Sequence, residues 1–438
     1  MRLARIQATL GPACSDLDTL RKMVEAGMDG CRLNMSHCSS GQARELAGMV
    51  RRISKEKGRP IALGADLRGP KLRIGDVEGS GVVLAQGSHV ELTPEDRVSV
   101  PGLLSVNYPY LSEDVRPGDP ILLNDGALRL RVEATVRDRV VCRVEKGGLL
   151  TSRKGVNLPG VPLRVPSLTE KDVKDIALAV ELGVDFLYVS FARSRGHIMD
   201  VRKALQRLGS SIPLVAKIER QEGVDALSEI VDAADGICVA RGDLGVETPL
   251  GAVPFIQREA AGLCHAKGRF AMMGGQVLAS MVSSPTPLRA EVADLATIVR
   301  DGNDAIVLSD ETAAGEYPVE AVRVAAQVME RTEQSAGQNG TTWGHQAGQG
   351  HSIGSVVVVT SSGEAVKRLS TTRSAAPIVA AVDRADLANW LSTWWGVVPV
   401  LLDNLSDPAE AARLALKRAA EVEPSLAGIR PLVLCELS

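Results

Sequence analysis

The chain predicts an α/β protein built on a closed (β/α)8 barrel, and three observations carry the prediction. Short β-branched runs alternate with amphipathic helical stretches eight times. The alternation breaks once, for a stretch of different texture. A second, shorter α/β alternation follows a polar segment late in the chain. Near-continuous apolar runs joined by helices mark a parallel sheet covered on both faces. Eight such units in series favour closure into a TIM-type barrel over an open sheet.

The runs begin near Arg5 (RIQAT), Cys31 (CRLNMS), Ile61 (IALGAD), Phe186 (FLYVSF), Pro213 (PLVAKIE), Gly236 (GICVARG), Arg269 (RFAMMGG) and Ala305 (AIVLSD). Helical patterns such as DLDTLRKMVEAG (16–27) and LTEKDVKDIALAVELG (168–183) lie between them. Residues 74–165 are instead rich in Gly and Pro, with alternating segments such as VVLAQGSHVELT. That pattern predicts a small antiparallel β-barrel inserted as a lid domain. The catalytic barrel is then residues 1–73 and 166–340, close to the roughly 250 residues such a barrel takes. A Gly/Gln/Ser/Thr-rich stretch over 335–352 has linker composition. Beyond it SVVVVT (355–360), PIVAAV (377–382), VVPVLL (397–402) and PLVLCEL (431–437) predict a C-terminal α/β domain over 341–438.

Composition narrows the function. The 438 residues carry 50 Lys+Arg against 53 Asp+Glu, a net charge of -3. Nucleic-acid binding calls for a clustered basic excess that this balance lacks. No apolar run approaches the roughly 20 residues of a membrane span, and Met1–Leu10 lacks the basic-then-apolar pattern of a secretory signal. Seven scattered cysteines without a C-x-x-C pair fit a reducing compartment, so the expected location is cytoplasmic.

Barrel enzymes carry their chemistry at the carboxyl ends of the strands, and polar residues collect at those ends here. Arg32, Asn34, Ser36 and His37 follow the second run; Asp66, Arg68 and Lys71 the third; Lys217 and Glu219 end the fifth; Arg241 and Asp243 follow the sixth; Asp310 and Glu311 the eighth. Lys217 and Glu219 are two apart on a strand, so both face the barrel mouth. The Lys offers a point charge for a phosphoryl or enolate oxygen, the Glu a hard oxygen for Mg²⁺, and Asp243 is the natural second carboxylate. The bland alternative is a structural Lys–Glu pair, a costly way to gain stability. RGDLG reads as a turn into a helix whose N–H groups at Gly242 and Asp243 suit a carboxylate or phosphate. Arg32 and Arg73 are forked donors for phosphate, and Lys154 stands where the lid could bring it over phosphates. There is no Walker-type loop and no histidine pair spaced for zinc.

These residues resemble the pyruvate kinase family over nearly the whole length. The resemblance rests on ATLGPAC (8–14), GMDGCRLNMSH (27–37), ADLRGPKLRIG (65–75), ILLNDG (121–126), KGVNLPG (154–160), AKIERQEGV (216–224), DGICVARGDLGVETP (235–249) and LSDETAAGEYP (308–318). It implies phosphoryl transfer between phosphoenolpyruvate and ADP, giving pyruvate and ATP, by a homotetramer using Mg²⁺ or Mn²⁺. Position by position, Lys217, Arg32 and Arg73 would be catalytic, and Arg32, Lys217, Gly242, Asp243 and Gly275 would bind substrate. Asn34, His37, Arg73 and Lys154 would face the nucleotide, and Glu219 and Asp243 would ligate Mg²⁺. Asn34, Ser36, Asp66 and the Leu67 carbonyl would form a K⁺ site. Lys71 stands where K⁺-dependent members have Glu, which resembles the K⁺-independent branch and implies activity without added K⁺. The chain also departs from the family. Gly275 replaces a threonine near the enolate carbon, Asp310 replaces Gly, and Leu288 replaces the Thr of P-T-R-A-E. Two other readings follow from those departures and the metal pair: a catalytically weakened paralogue acting as a metabolite sensor, and a Mg²⁺-dependent pyruvate-enolate aldolase or lyase.

Overall fold

In the computed structural model, which describes residues 1–338, 355–374, 376–429 and 431–436, all eight runs are strands of one closed parallel barrel. They are Arg5–Leu10, Gly30–Asn34, Ala62–Asp66, Phe186–Val189, Leu214–Ile218, Gly236–Ala240, Phe270–Gly274 and Ala305–Leu308. Neighbours in space are neighbours in the series. The first strand closes on the eighth in the register Arg5↔Ala305, and the third lies beside the fourth, Phe186 opposite Gly64, across the insertion. The strands are almost wholly buried, as an apolar run with helices outside and packed side chains inside requires.

The insertion forms a six-stranded sheet and a separate two-stranded ribbon, Val82–Leu84 with Gly148–Leu150. Within the larger sheet His89–Thr93 pairs in parallel with Leu103–Ser105, so the sheet is mixed, whereas the sequence pattern predicts antiparallel pairing alone. Its longest strand, Leu128–Val136, alternates as its sequence does, with Leu128, Leu130 and Val132 facing the lid's own core. The turn before it places Asn124, Asp125 and Gly126 at φ 52°, 53° and 81°, the conformation these residue types tolerate best.

The C-terminal unit is a four-stranded parallel sheet ordered Val397–Leu401, Ile378–Val382, Ser355–Thr360, Pro431–Glu436. The helix Pro318–Gln338 runs into the stretch whose composition predicts a linker from 335, and the rest of that stretch, with the 340/341 domain boundary, lies outside the described residues. No helix among the described residues is long and apolar enough to cross a membrane.

The C-terminal unit closes the bottom of the barrel. Phe186 and Phe270 open the fourth and seventh strands, and both stack on Trp390, at 5.3 and 5.2 Å between ring centres; Phe270 also meets Trp394 at 5.6 Å. These rings and the barrel-interior side chains form one continuous apolar cluster. A buried ion pair pins the joint: Arg373 Nη1 lies 2.9 Å from Asp304 Oδ1, and Arg373 Nε donates to the Gly302 carbonyl at 2.8 Å. Such a pair is strongly destabilising to break, because a lone buried charge is left behind. Arg373 also bonds a ring nitrogen of His265. Burial, and then the Arg373 charge, lower the His265 pKa to about 4, so the ring is neutral and accepts.

The sign of the resulting pH effect is fixed. A histidine whose folded pKa lies below its ordinary 6.5 contributes stability that is complete above pH 6.5 and is lost as pH falls towards 4. The shift sets that contribution at up to about 3 kcal/mol. His265→Gln keeps a neutral acceptor, so the variant is expected to lose less stability than the parent between pH 7 and pH 4 in denaturant unfolding. Identical pH slopes for the two would show that His265 plays no part.

Candidate active site

The carboxyl ends of five barrel strands converge on one buried carboxylate. Asp66 ends the third strand and is 2% exposed. Its Oδ2 accepts from Arg32 Nε of the second strand at 2.8 Å and lies 3.3 Å from Lys217 Nζ of the fifth. Its Oδ1 accepts the Ser190 hydroxyl, just past the fourth strand, at 3.1 Å. Arg32 Nη1 reaches Thr9 Oγ1 of the first strand at 2.9 Å. Lys217 completes its set with Ser190 Oγ and Glu219 Oε1, both at 2.9 Å. Glu219 Oε2 accepts the Phe191 N–H at 2.7 Å, and Phe191 presents that N–H from a left-handed backbone, φ 54°, an unusual state for an aromatic residue.

Burial disfavours every charge in this cluster, and the partners decide the outcome. Burial pushes the Asp66 carboxyl up, but Lys217 and Arg32 together hold it below the usual range. Burial works against the Lys217 ammonium too, and Asp66 and Glu219 outweigh it and raise its pKa. Glu219 goes the other way: burial raises it, and the Asp243 and Asp66 carboxylates add to that rise against Lys217. The cavity therefore holds firm cations on one side and a carboxylate short of positive charge on the other.

The sixth and seventh strands supply the opposite wall. The helix Arg241–Glu247 starts directly after the sixth strand, with Gly242 and Asp243 in its first turn. Asp243 Oδ1 pairs with Lys71 Nζ at 2.7 Å. Arg241 fastens the two loops together: its Nε and Nη2 donate to the Gly275 carbonyl at 3.0 and 2.9 Å, and its Nη1 pairs with Asp294 at 2.6 Å. Arg32, Lys217 and Glu219 from one wall and Gly242, Asp243 and Gly275 from the other line a cavity of about 150 Å³, with Ser309 beside them and with Gly274 and the barrel-interior residues Tyr188, Cys238 and Val307 as its floor.

Six residues singled out from the sequence thus share one cavity: Arg32, Lys217, Glu219, Gly242, Asp243 and Gly275. Arg73 and Lys154 sit together where the lid joins the barrel. Arg73 is bridged to Gly155, its Nη1 donates to the Arg153 carbonyl at 2.9 Å, and Ile74 N–H donates to the Lys154 carbonyl at 2.9 Å. Asn34, Ser36 and His37 form a loop beyond the second strand, with Asn34 Oδ1 accepting from Ser36 N–H at 3.1 Å and His37 exposed. Leu67 is buried, its N–H on the Tyr188 carbonyl. Lys71 stands on Asp243, while Arg32 and Lys217 supply the positive charge at Asp66. Sequence reasoning missed Thr9 and Ser190, hydroxyls at strand ends with no periodic signal of their own.

Of the departures, Asp310 is exposed and does not line the cavity, and Glu311 is structural, accepting from Leu278 and Ser309 N–H groups at 3.0 and 2.6 Å. Leu288 precedes the helix Arg289–Arg300 and is 62% exposed; it offers the helix's first N–H groups no side-chain acceptor, and its own N–H is covered by Glu291 Oε2 at 2.9 Å and Ser280 Oγ at 3.1 Å. Gly275 is the consequential one. It has φ 87°, and a Cβ there would stand 2.8 Å from the Gly242 nitrogen. Gly275→Thr, which writes in the family residue, is therefore expected to destabilise the fold by about 1–3 kcal/mol, read as a lower midpoint in denaturant unfolding. An unchanged midpoint would mean that the loop relaxes freely.

The pyruvate kinase barrel-domain family model matches residues 1–322, and the pyruvate kinase alpha/beta-domain model matches residues 345–429. The pyruvate kinase of Geobacillus stearothermophilus is 37% identical over 416 residues, 90% of this chain and 71% of its own. That of Methylorubrum extorquens is 37% identical over 441 residues, covering 95% and 90%. That of Mycobacterium intracellulare is 36% identical over 417 residues, covering 91% and 88%. These matches do not favour the sensor or aldolase readings. With the barrel, the lid and the clustered Lys217 and Glu219 already in place, they establish that this chain belongs to the pyruvate kinase family, as a phosphotransferase acting between phosphoenolpyruvate and ADP.

Proposed function

We propose that this cavity is where the phosphoryl group changes hands, and that Lys217 is the residue on which transfer turns. The observation that supports it is a pair of fixed, largely buried cations lining the cavity: Arg32 and Lys217 are both held on the Asp66 carboxylate, Lys217 also on Glu219, so they stand in place to exchange those partners for incoming phosphoryl oxygens. Held there before substrate arrives, such donors need no reorganisation as charge develops. Gly242 and Asp243 offer backbone N–H groups of a helix's first turn to the substrate carboxylate. Arg73 and Lys154, at the lid junction, face the nucleotide with Asn34 and His37, and closure of residues 74–165 excludes water from the transfer.

Glu219 and Asp243 suit Mg²⁺ or Mn²⁺. They are hard oxygen donors on one cavity. A metal held by these two carboxylates would take its remaining oxygens from the phosphate and carboxylate groups of the reactants, the usual Mg²⁺ arrangement. When bound, the metal supplies positive charge to the migrating phosphoryl group. Lys71 adds a fixed cation on Asp243, and Arg32 and Lys217 supply the positive charge at Asp66, which supports activity without K⁺ at the Asn34, Ser36, Asp66 and Leu67 site. A cytoplasmic homotetramer belongs with this reading.

Two measurements test it. Lys217→Met is expected to lower kcat for pyruvate formation by about 10²–10³ with the fold intact by circular dichroism; near-parental turnover would remove Lys217 from the reaction. Pyruvate formation with Mg²⁺ is expected to run equally in sodium and potassium salts, and a requirement for K⁺ would sink the role given to Lys71.

A further inference from the structure

Two adjacent glycines at the cavity have opposite reasons for being glycine. Gly275 needs its identity: its φ is 87°, and a Cβ would strike the Gly242 nitrogen. Gly274, the last residue of the seventh strand, is buried, lies outside the left-handed region and has room for a Cβ. A Cβ there would stand 3.4 Å from Val307 Cβ and 3.6 Å from Cys238 Sγ, ordinary van der Waals contact. Neither backbone nor packing calls for glycine, yet glycine within a strand is destabilising relative to alanine. What the missing Cβ leaves is space on the cavity floor, the usual meaning of an unforced strand glycine beside a ligand.

The floor is also uncharged. Val307 and Tyr188 are buried there, and burial pushes the Cys238 thiol up to about 12, so it stays neutral. The site reading above, on which this inference rests, puts the phosphoryl group on Arg32 and Lys217 and the carboxylate on Gly242 and Asp243. The remaining end of the substrate is its methylene carbon, and the remaining wall is this floor. We propose that the Gly274 gap admits a substituent on that carbon, so that the chain also accepts enol phosphates of 2-oxo acids one carbon longer than pyruvate. The step balances as for the parent substrate. The enol O–P bond breaks, a β-phosphate oxygen of ADP bonds to phosphorus, and the released enolate takes one proton at C3 to give 2-oxobutyrate and ATP.

The test compares phosphoenolpyruvate with phosphoenol-2-oxobutyrate, each with ADP and Mg²⁺, by ATP formation in the parent and in Gly274→Ala. The parent is expected to use the longer compound with kcat/KM within about tenfold of the shorter. Gly274→Ala is expected to worsen that ratio by about 10- to 200-fold, the range one methylene commands in a filled pocket. Turnover of phosphoenolpyruvate with none of the longer compound by the parent overturns the inference, whatever the variant does. So does a Gly274→Ala variant that slows both compounds equally. Turnover of neither compound overturns the site reading first, and this inference with it.

Discussion

The buried carboxylate of Asp66 is the constraint around which the site is built. It is the meeting point of Arg32, Ser190 and Lys217, and through Arg32 it reaches Thr9, so one residue ties the mouths of five strands together. Arg32 and Lys217 are largely buried; without Asp66, Arg32 would lose its only carboxylate and Lys217 would keep Glu219 alone. With it, and with Glu219 on Lys217, two cations and two carboxylates are held together at the mouth of the barrel and line or underlie one cavity. So many ionised groups gathered on one cavity are expected where function rather than packing sets the residues.

The second constraint is the joint between lid and barrel. Lys71 belongs to the segment entering the insertion and Asp243 to the helix after the sixth strand, and their ion pair spans 172 residues of chain. Arg73, bridged to Gly155, ties the entering segment to the exiting one. The joint is thus held by a cation on the lid side and a carboxylate on the barrel side.

Much of this was legible in the sequence, for identifiable reasons. The eight runs fell on strands because parallel-barrel strands are buried on both faces and read as continuous apolar segments. Lys217 and Glu219 were found because period two places them on one side of a strand end. The residues the sequence hid are those whose meaning is set by distant partners. Ser190 and Thr9 are hydroxyls that become informative only once the barrel brings Asp66 and Arg32 to them. Lys71 reads as a charge for the Asp66 region, yet the fold lays it on Asp243. The stacking of Trp390 and Trp394 on Phe186 and Phe270 joins residues more than a hundred positions apart, and no local pattern announces that the C-terminal unit is the barrel's floor.

Departures from the family pattern look alike in a sequence and differ in kind in the structure. Asp310 lies outside the cavity, so its charge tunes nothing inside. Leu288 weakens one helix start and leaves the site alone. Gly275 cannot be read as a deleted side chain, because its backbone has taken a conformation that a threonine would find strained, and Arg241 holds its carbonyl there. Gly274 beside it is the reverse case: it lies outside the left-handed region, and a Cβ there would meet only ordinary contacts with Val307 and Cys238. Two neighbouring glycines thus differ in cause, since the backbone demands one and neither backbone nor packing demands the other.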